Sequence, residues 1–480
     1  MTAQGEVFEP AKLWPPVSAQ SVEFSNRLSL AISQLPPGIG TYAGQLSGLV
    51  EIKPGHVRRG SQEPKPFLES QLNVSNDWGD LATCIQLAQP ALQSLRDLMQ
   101  DPPSGVEYDV VQRLEADSLP NYVAVRRAAQ ALHAAVIQDL HNGDLEAAEK
   151  NLRALSAFVE LRDGDPSLIW FMIRVAVLGL GVDAYWDAVQ AGGWTESQLA
   201  SLQEACQCDQ LLSQMPRTMA AERVVRLNQL RWFRSHSYED WVDRYGEIYQ
   251  SFGSSVPSTG TNFAVRLWRE KIFHPTWSFA WADEEQLNFL CHAQEDLEIL
   301  REGAEQGSWI ALRQQTDARH KNYRPPVASW RFYTQLPLVD RLSEVVNPSP
   351  HPAPYPYPNF SRAWFVTMKN MTLNQMASTA IALKRYQLRH GQLPTALDSL
   401  VPEFLPACPR DYMNGQDLHY RSNSDGSFTL YSVAEDGVDD GGDPSSADSS
   451  SSKQPARPWM GRDWVWPLVP QAPEITSVRE

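Results

Sequence analysis

Cysteine is scarce and odd in number here: Cys84, Cys206, Cys208, Cys291 and Cys408 among 480 residues. A disulfide framework uses more of them in even number, so none is expected. Cys206-Gln207-Cys208 lacks the second Cys or His pair that a tetrahedral zinc site requires, and its surroundings predict a polar helix. Basic clusters are also missing; the longest are the pairs Arg58–Arg59 and Arg126–Arg127. With a net charge of −16 and a pI of 5.1, the chain has no basic face for nucleic acid. The same charge disfavours anionic membrane surfaces as the main partner.

No apolar run reaches the ~20 residues of a membrane span. The most apolar stretch, Leu168–Val182, contains Arg174 and is bracketed by Asp165 and Asp183, which predicts a buried core helix. No signal peptide or membrane helix opens the sequence, so membrane attachment is expected only through an anchor that it does not contain. No P-loop, HExxH or GxSxG string occurs. Gly38-Ile39-Gly40-Thr41-Tyr42-Ala43 matches the dinucleotide fingerprint as letters. It follows Pro36-Pro37 and a helix, where the fingerprint needs a strand. His236, His274, His292 and His320 have no regular ligand spacing, and His133 is expected to be a satisfied structural residue on a helix. Asp283-Glu284-Glu285 reads as a helix start, where the macrodipole favours carboxylates.

What is present is apolar and helical. Apolar residues make up 42% of the chain, ample for packed cores, and tryptophan is frequent, with 16 copies. The length predicts two or three domains. An irregular leader is expected to about Pro16, then a helix stopped by Pro36-Pro37-Gly38. Further helices are expected from Asp77 or Asp80 toward Met99 and over Asn121–Leu140. Another starts at Asp144, whose apolar stripe is Leu145, Ala148, Leu152, Leu155 and Val159. Asp165-Pro166 supplies an N-cap and a first-turn proline for the apolar helix. Thr195-Glu196-Ser197-Gln198 is a capping box. The hairpin Tyr122–Leu161 resembles one tetratricopeptide-type pair, but no repeat of it recurs. Aromatic residues crowd a later stretch: Trp232, Phe233, Trp241, Tyr245, Tyr249, Trp268, Phe273, Trp277, Phe279 and Trp281. They are either core or an exposed platform for a sugar or peptide.

Prolines at every second position from Pro348 to Pro358 mark a stiff connector. A long helix follows over Trp364–Arg389, with Met368, Met371, Met376, Ala380, Leu383 and Leu388 as its apolar face. A short helix at Leu397–Leu400 comes next, then two strands, Leu418–Ser422 and Ser427–Val433, around Ser424-Asp425-Gly426. The expected organisation is a leader with an irregular segment (1–78), a helical domain (79–346), a linker (347–360), a small α+β domain (361–443) and a Ser/Pro-rich tail (444–480). The fold class is mainly α: an irregular multi-helix bundle or short helical stack, followed by the α+β domain with its antiparallel sheet.

The C-terminal part carries an ordered set of strings. They are Ala382-Leu383-Lys384-Arg385-Tyr386, His390-Gly391-Gln392-Leu393-Pro394, Leu400-Val401-Pro402-Glu403-Phe404-Leu405-Pro406, Pro409-Arg410-Asp411, Leu430-Tyr431-Ser432-Val433, Asp436-Gly437 and Asp463-Trp464. In this order they resemble the globular domain of the type II secretion major pseudopilin. The whole layout resembles bacterial envelope proteins in which a Leu/Ala-rich helical region precedes such a tail. The resemblance implies an envelope or periplasmic location, protein partners among secretion or surface-assembly components, and no enzyme activity. It also implies calcium in the loop after the last strand. Asp436 is then the foremost ligand, Asp439, Asp440 and Asp443 share its loop, Asp463 closes the site, and the Val433 carbonyl contributes. Calcium takes six to eight oxygens, mostly carboxylate and carbonyl.

Two features depart from that family. Residues 444–462 insert a Ser-rich stretch of linker composition before Asp463. The long helix follows the whole helical region, so pilus polymerisation by helix packing is not expected. The leading expectation is a non-enzymatic scaffold with an assembly or docking module. The alternative is a hydrolase or glycan-binding protein with an aromatic-lined cleft in the helical region.

Overall fold

Short polar side chains start the helices. Ser18 Oγ accepts Ser21 N at 3.1 Å, and Asp144 Oδ1 accepts Ala147 N at 3.0 Å. Thr195 and Gln198 cap each other's backbone at 3.2 and 3.1 Å, a complete capping box. The computed structural model describes residues 6–13, 18–40, 78–102, 122–161, 166–208, 210–237, 239–240, 267, 269–280, 282–322, 360–424, 426–445 and 461–466. After a helical turn at Pro10–Leu13 come α1 (Ala19–Ser33), α2 (Trp78–Leu98), α3 (Tyr122–Asn142), α4 (Leu145–Val159), α5 (Leu168–Gln190), α6 (Glu196–Ala205) and α7 (Gln210–Ser235). A π-helical turn, Arg269–Phe273, leads into α8 (His274–Ala280), α9 (Ala282–Gln306) and α10 (Trp309–Asn322). The C-terminal part contributes α11 (Phe360–His390), a 3-10 turn (Leu397–Leu400), β1 (His419–Ser422), β2 (Phe428–Ser432) and β3 (Trp464–Trp466). The described chain is therefore mostly helical, with one small antiparallel sheet.

The apolar helix does not start where the sequence suggests. Asp165 lies outside the described residues, and the cap is Ser167, whose hydroxyl accepts Trp170 N at 3.4 Å. A serine hydroxyl serves this role as well as a carboxylate, and Pro166 then precedes the cap. By length and composition α5 is long and apolar enough to cross a membrane. Its faces are met instead by α3, α4, α7 and α11, which bury Trp170, Val175, Leu178 and Tyr185. An all-round apolar helix suits such a central position. Arg174 lies inside the packing and donates Nε to the Val159 carbonyl at 2.8 Å and Nη1 to Gln214.

Helix α11 is the second central element. Its expected one-sided stripe is only part of the story, because Met368, Thr372, Asn374, Met376, Thr379 and Leu383 are all buried while Leu388 is exposed. The helix meets α5, α6, α7, α10, the 3-10 turn and β2, so between Phe360 and Leu383 little of its circumference meets water. Two of its buried hydroxyls turn back on the helix: Thr367 Oγ1 donates to Ala363 O at 2.8 Å, Thr379 Oγ1 to Gln375 O at 2.7 Å. One continuous hydrophobic cluster runs from Phe24 through α5 and α11 to Trp466. Residues 347–359 of the expected linker lie outside the described residues.

Several side chains sit elsewhere than expected. Cys206 and Cys208 are buried, not on a polar helix face. Asn374 of α11 donates Nδ2 to the Cys206 carbonyl at 2.6 Å and accepts from Cys206 Sγ at 3.3 Å, so it closes the end of α6. His133 is buried, but neither ring nitrogen has a hydrogen-bond partner among the described residues. The satisfied ring expected from the sequence is not found among the described residues. Of the aromatic-rich stretch, Phe233 and Trp277 are core, their rings 4.9 Å apart. Phe279 is 93% exposed. Trp241, Tyr245, Tyr249, Trp268 and Trp281 lie outside the described residues.

The sheet has the order β1-β2-β3. His419 pairs with Tyr431, and Leu430 with Trp466. The third strand was not expected, because a three-residue Trp-Val-Trp string after a Ser-rich stretch carries no strand signal of its own. Pairing with β2 and burial of Trp464 and Trp466 supply the stability that its length cannot. Helix α10 also grips this end of the molecule: Trp309 N and Ile310 N donate to the Tyr412 and Met413 carbonyls at 2.9 and 3.0 Å.

Candidate metal centre

The loop after β2 is acidic and glycine-rich. Gly437, Gly441 and Gly442 have φ of 74°, 74° and 80°, left-handed values that favour glycine. At Gly437 a side chain would also collide with Ile310 of α10. The loop is thus pressed on the helical part of the molecule, and its turns keep Asp436, Asp439, Asp440 and Asp443 on a short stretch, with Asp463 returning beside them.

Those five occupy different surroundings. Asp436 is exposed and accepts Val438 N at 3.1 Å in its own turn. Asp439 Oδ1 accepts Tyr431 Oη at 3.1 Å and Gly441 N at 2.9 Å. The Gly441 bond, more than the Tyr431 one, holds its carboxyl below the usual range. Asp440 stands 3.6 Å from Arg462. Asp443 accepts Ser445 N at 2.9 Å and Ser445 Oγ at 2.8 Å, which lowers its pKa.

Asp463 differs from the rest. It lies beyond the Ser-rich insertion, of which residues 446–460 are outside the described residues, yet it returns to the loop. Its backbone N–H donates to Asp443 O at 3.0 Å, and Arg462 N donates to Ser445 O at 2.8 Å. The side chain is 0% exposed. Oδ2 accepts Gly442 N at 2.7 Å and Asp443 N at 3.2 Å. Oδ1 is buried with no hydrogen-bond partner among the described residues. Burial raises its pKa, and the nearby charges of Asp439 and Asp440 raise it further against the two backbone bonds. A buried carboxylate oxygen without a donor is costly, and a cation beside it would remove that cost.

As they stand, no three His, Cys, Asp or Glu side chains among the described residues are close enough together to hold a metal ion. The donor chemistry fits a hard cation, since every candidate offers oxygen. Asp463 is the carboxylate close enough to Asp439 and Asp440 to be raised by their charge. Asp436, foremost by resemblance, is turned outward into its own turn.

Three residues that the sequence did not single out as ligands support the site. Asp411 is buried under the loop; its Oδ1 accepts Met413 N at 2.9 Å and its Oδ2 accepts Val433 N at 3.1 Å. Burial raises its pKa despite these bonds. His419 stands 3.6 Å from Asp439 and stacks on Tyr431 at 4.8 Å. Strand register was the available signal here: β1 and β2 pair His419 opposite Tyr431. Nothing in the string Pro409-Arg410-Asp411 announces that its aspartate is buried.

Elsewhere the polar groups read as structural. His274 bonds the Phe233 carbonyl at 2.7 Å, and His236 Nδ1 the Trp232 carbonyl at 2.9 Å. Asp283 pairs with Arg234, and Glu285 accepts the Trp277 indole. Compared with known proteins, the chain matches no family model, no curated protein and no solved structure.

Proposed function

We propose that this chain is a non-enzymatic protein-interaction scaffold of the bacterial envelope, with a pseudopilin-like assembly module that calcium stabilises at its C-terminal loop. The observation that carries the reading is Asp463. It returns across the insertion to the acidic loop, fully buried, with one oxygen on two backbone donors and the other without a partner. The order of elements supports the kinship: a long helix, a 3-10 turn, an antiparallel pair and an acidic loop closed by Asp463-Trp464. Asp463, Asp439 and Asp440 would hold the cation, with Asp443 and Asp436 in reach of the same loop. Bound calcium would supply charge neutralisation and rigidity, not chemistry on a substrate. The expected partners are proteins, among them secretion or surface-assembly components.

The test is calcium titration by calorimetry on the full chain, beside thermal melts in calcium and in chelator. A fragment beginning in α11 would lack the helices that bury it. Binding to one site is expected, with a gain of about 3 kcal/mol at a hundredfold excess over Kd. Asp463→Asn, which keeps the acceptor for Gly442 N, should abolish it. Absence of heat together with identical melting temperatures would remove calcium from the reading.

A further inference from the structure

The Glu6–Leu13 segment lies on α7 and α9 in the manner of a bound peptide. Glu6 is its anchor. Glu6 Oε2 accepts Arg223 Nη2 at 2.9 Å, and Oε1 accepts Gln294 Nε2 at 3.0 Å and Arg301 Nη1 at 2.6 Å. Arg223 also donates to Gln294. Arg223 is 1% exposed, so the groove holds a buried cation that needs a carboxylate. Burial would raise the Glu6 pKa, but the bonds from Arg301, Gln294 and Arg223 outweigh it and hold the group at about 2. Next to the anchor, the Arg223 guanidinium lies 4.6 Å from the Phe8 ring centre. At the far end Arg217 Nη2 donates to the Leu13 carbonyl at 3.0 Å.

Two further facts set this segment apart from ordinary core. Its apolar contacts, Val7, Phe8 and Leu13 on Ala221, Val224 and Val225, form a cluster separate from the main one. The next described element, α1, has its own cap in Ser18 and packs mainly on α2 and α3. The segment is therefore joined to its groove by side chains of α7 and α9.

The geometry points to the α7–α9 groove as a peptide-recognition site. The Glu6–Leu13 segment fills it as a tethered ligand. The partner it accepts in trans is an acidic linear peptide with a carboxylate followed by two apolar residues, the second aromatic. Arg223, Gln294 and Arg301 read the carboxylate; Ala221 and Val224 take the apolar part. This deepens the scaffold reading by giving its partner a chemistry. The test below is run in chelator, so that it and the calcium result succeed or fail separately.

The experiment uses the chain without residues 1–17, which keeps the Ser18 cap, and a synthetic peptide of residues 5–14. Circular dichroism first establishes that the shortened chain is folded. Calorimetry should then show saturable binding of one peptide per chain. Binding should weaken about ten-fold or more with Glu6→Gln in the peptide, or with Arg223→Met in the protein. The intact chain, its groove filled, should bind the peptide about ten-fold more weakly than the shortened one. A folded shortened chain that ignores the peptide, or takes the Glu6→Gln peptide equally well, overturns the proposal. If the shortened chain does not fold, the intact chain with Glu6→Ala and Phe8→Ala serves as receptor, with the same expectations. Failure of that variant to fold would make the segment part of the core and overturn the proposal too.

Discussion

Two buried residues set opposite demands on protonation and stability. His133 lies wholly inside the helical core, and burial pushes its pKa down from 6.5 to about 4. The folded chain therefore holds it neutral while the unfolded chain takes up a proton below pH 6.5. Its contribution is intact above pH 6.5 and is lost as pH falls toward 4. His133→Leu should remove that loss, so its stability relative to the parent should rise by up to about 3 kcal/mol between pH 7 and pH 4. Urea midpoints across that range decide the matter; a constant difference would show that the ring is not buried neutral. Asp411 is a different case. Asp411→Ala would strand the buried N–H groups of Met413 and Val433, at a cost of about 3 kcal/mol. A urea midpoint within error of the parent would mean that the loop base has other supports.

Among the elements, α11 decides how the molecule is assembled. Helix and turn signals read its span to within a few residues, since no Pro or Gly interrupts it before Gly391. Its surroundings were not readable, because Thr367, Thr372, Asn374 and Thr379 look like surface residues and are buried. The Thr367 and Thr379 hydroxyls donate along the helix, Thr372 Oγ1 accepts Tyr412 N at 3.0 Å, and Asn374 satisfies the end of α6, so polar letters here cost little in the core. A fragment of residues 360–480 would expose Met368, Met371, Ala377 and Ile381. It should be poorly helical and aggregation-prone, which far-ultraviolet circular dichroism and amide dispersion report. A well-dispersed, monomeric fragment would show that the sheet alone can hold the helix.

For the molecule as a whole, the continuous core predicts cooperative melting. Phe24, Trp170, Met376 and Trp466 belong to one cluster, and ties such as Gln203 Nε2 to the Phe404 carbonyl at 2.6 Å cross between α6 and the C-terminal part. Arg385 adds a link to Glu196 at 2.7 Å. Calorimetry on the full chain should give a single transition with equal calorimetric and van't Hoff enthalpies. Two resolved transitions, with the second moved by calcium alone, would mean that the C-terminal module folds apart from the helices.

What local chemistry controls could be read from the residues alone. Capping residues, proline stops, apolar periodicity and turn glycines place most helices, the 3-10 turn and the first two strands, because each depends on neighbours within a turn or a hairpin. The acidic loop and its closing aspartate were also legible as letters. Which of those aspartates is buried, the existence of β3, the sharing of α11 by both parts of the chain, and the distant glutamate that answers Arg223 emerge from the packed fold. Each of these depends on contacts between residues far apart in the chain, where desolvation and pairing outweigh local preference, so no window of sequence contains the partner that settles it.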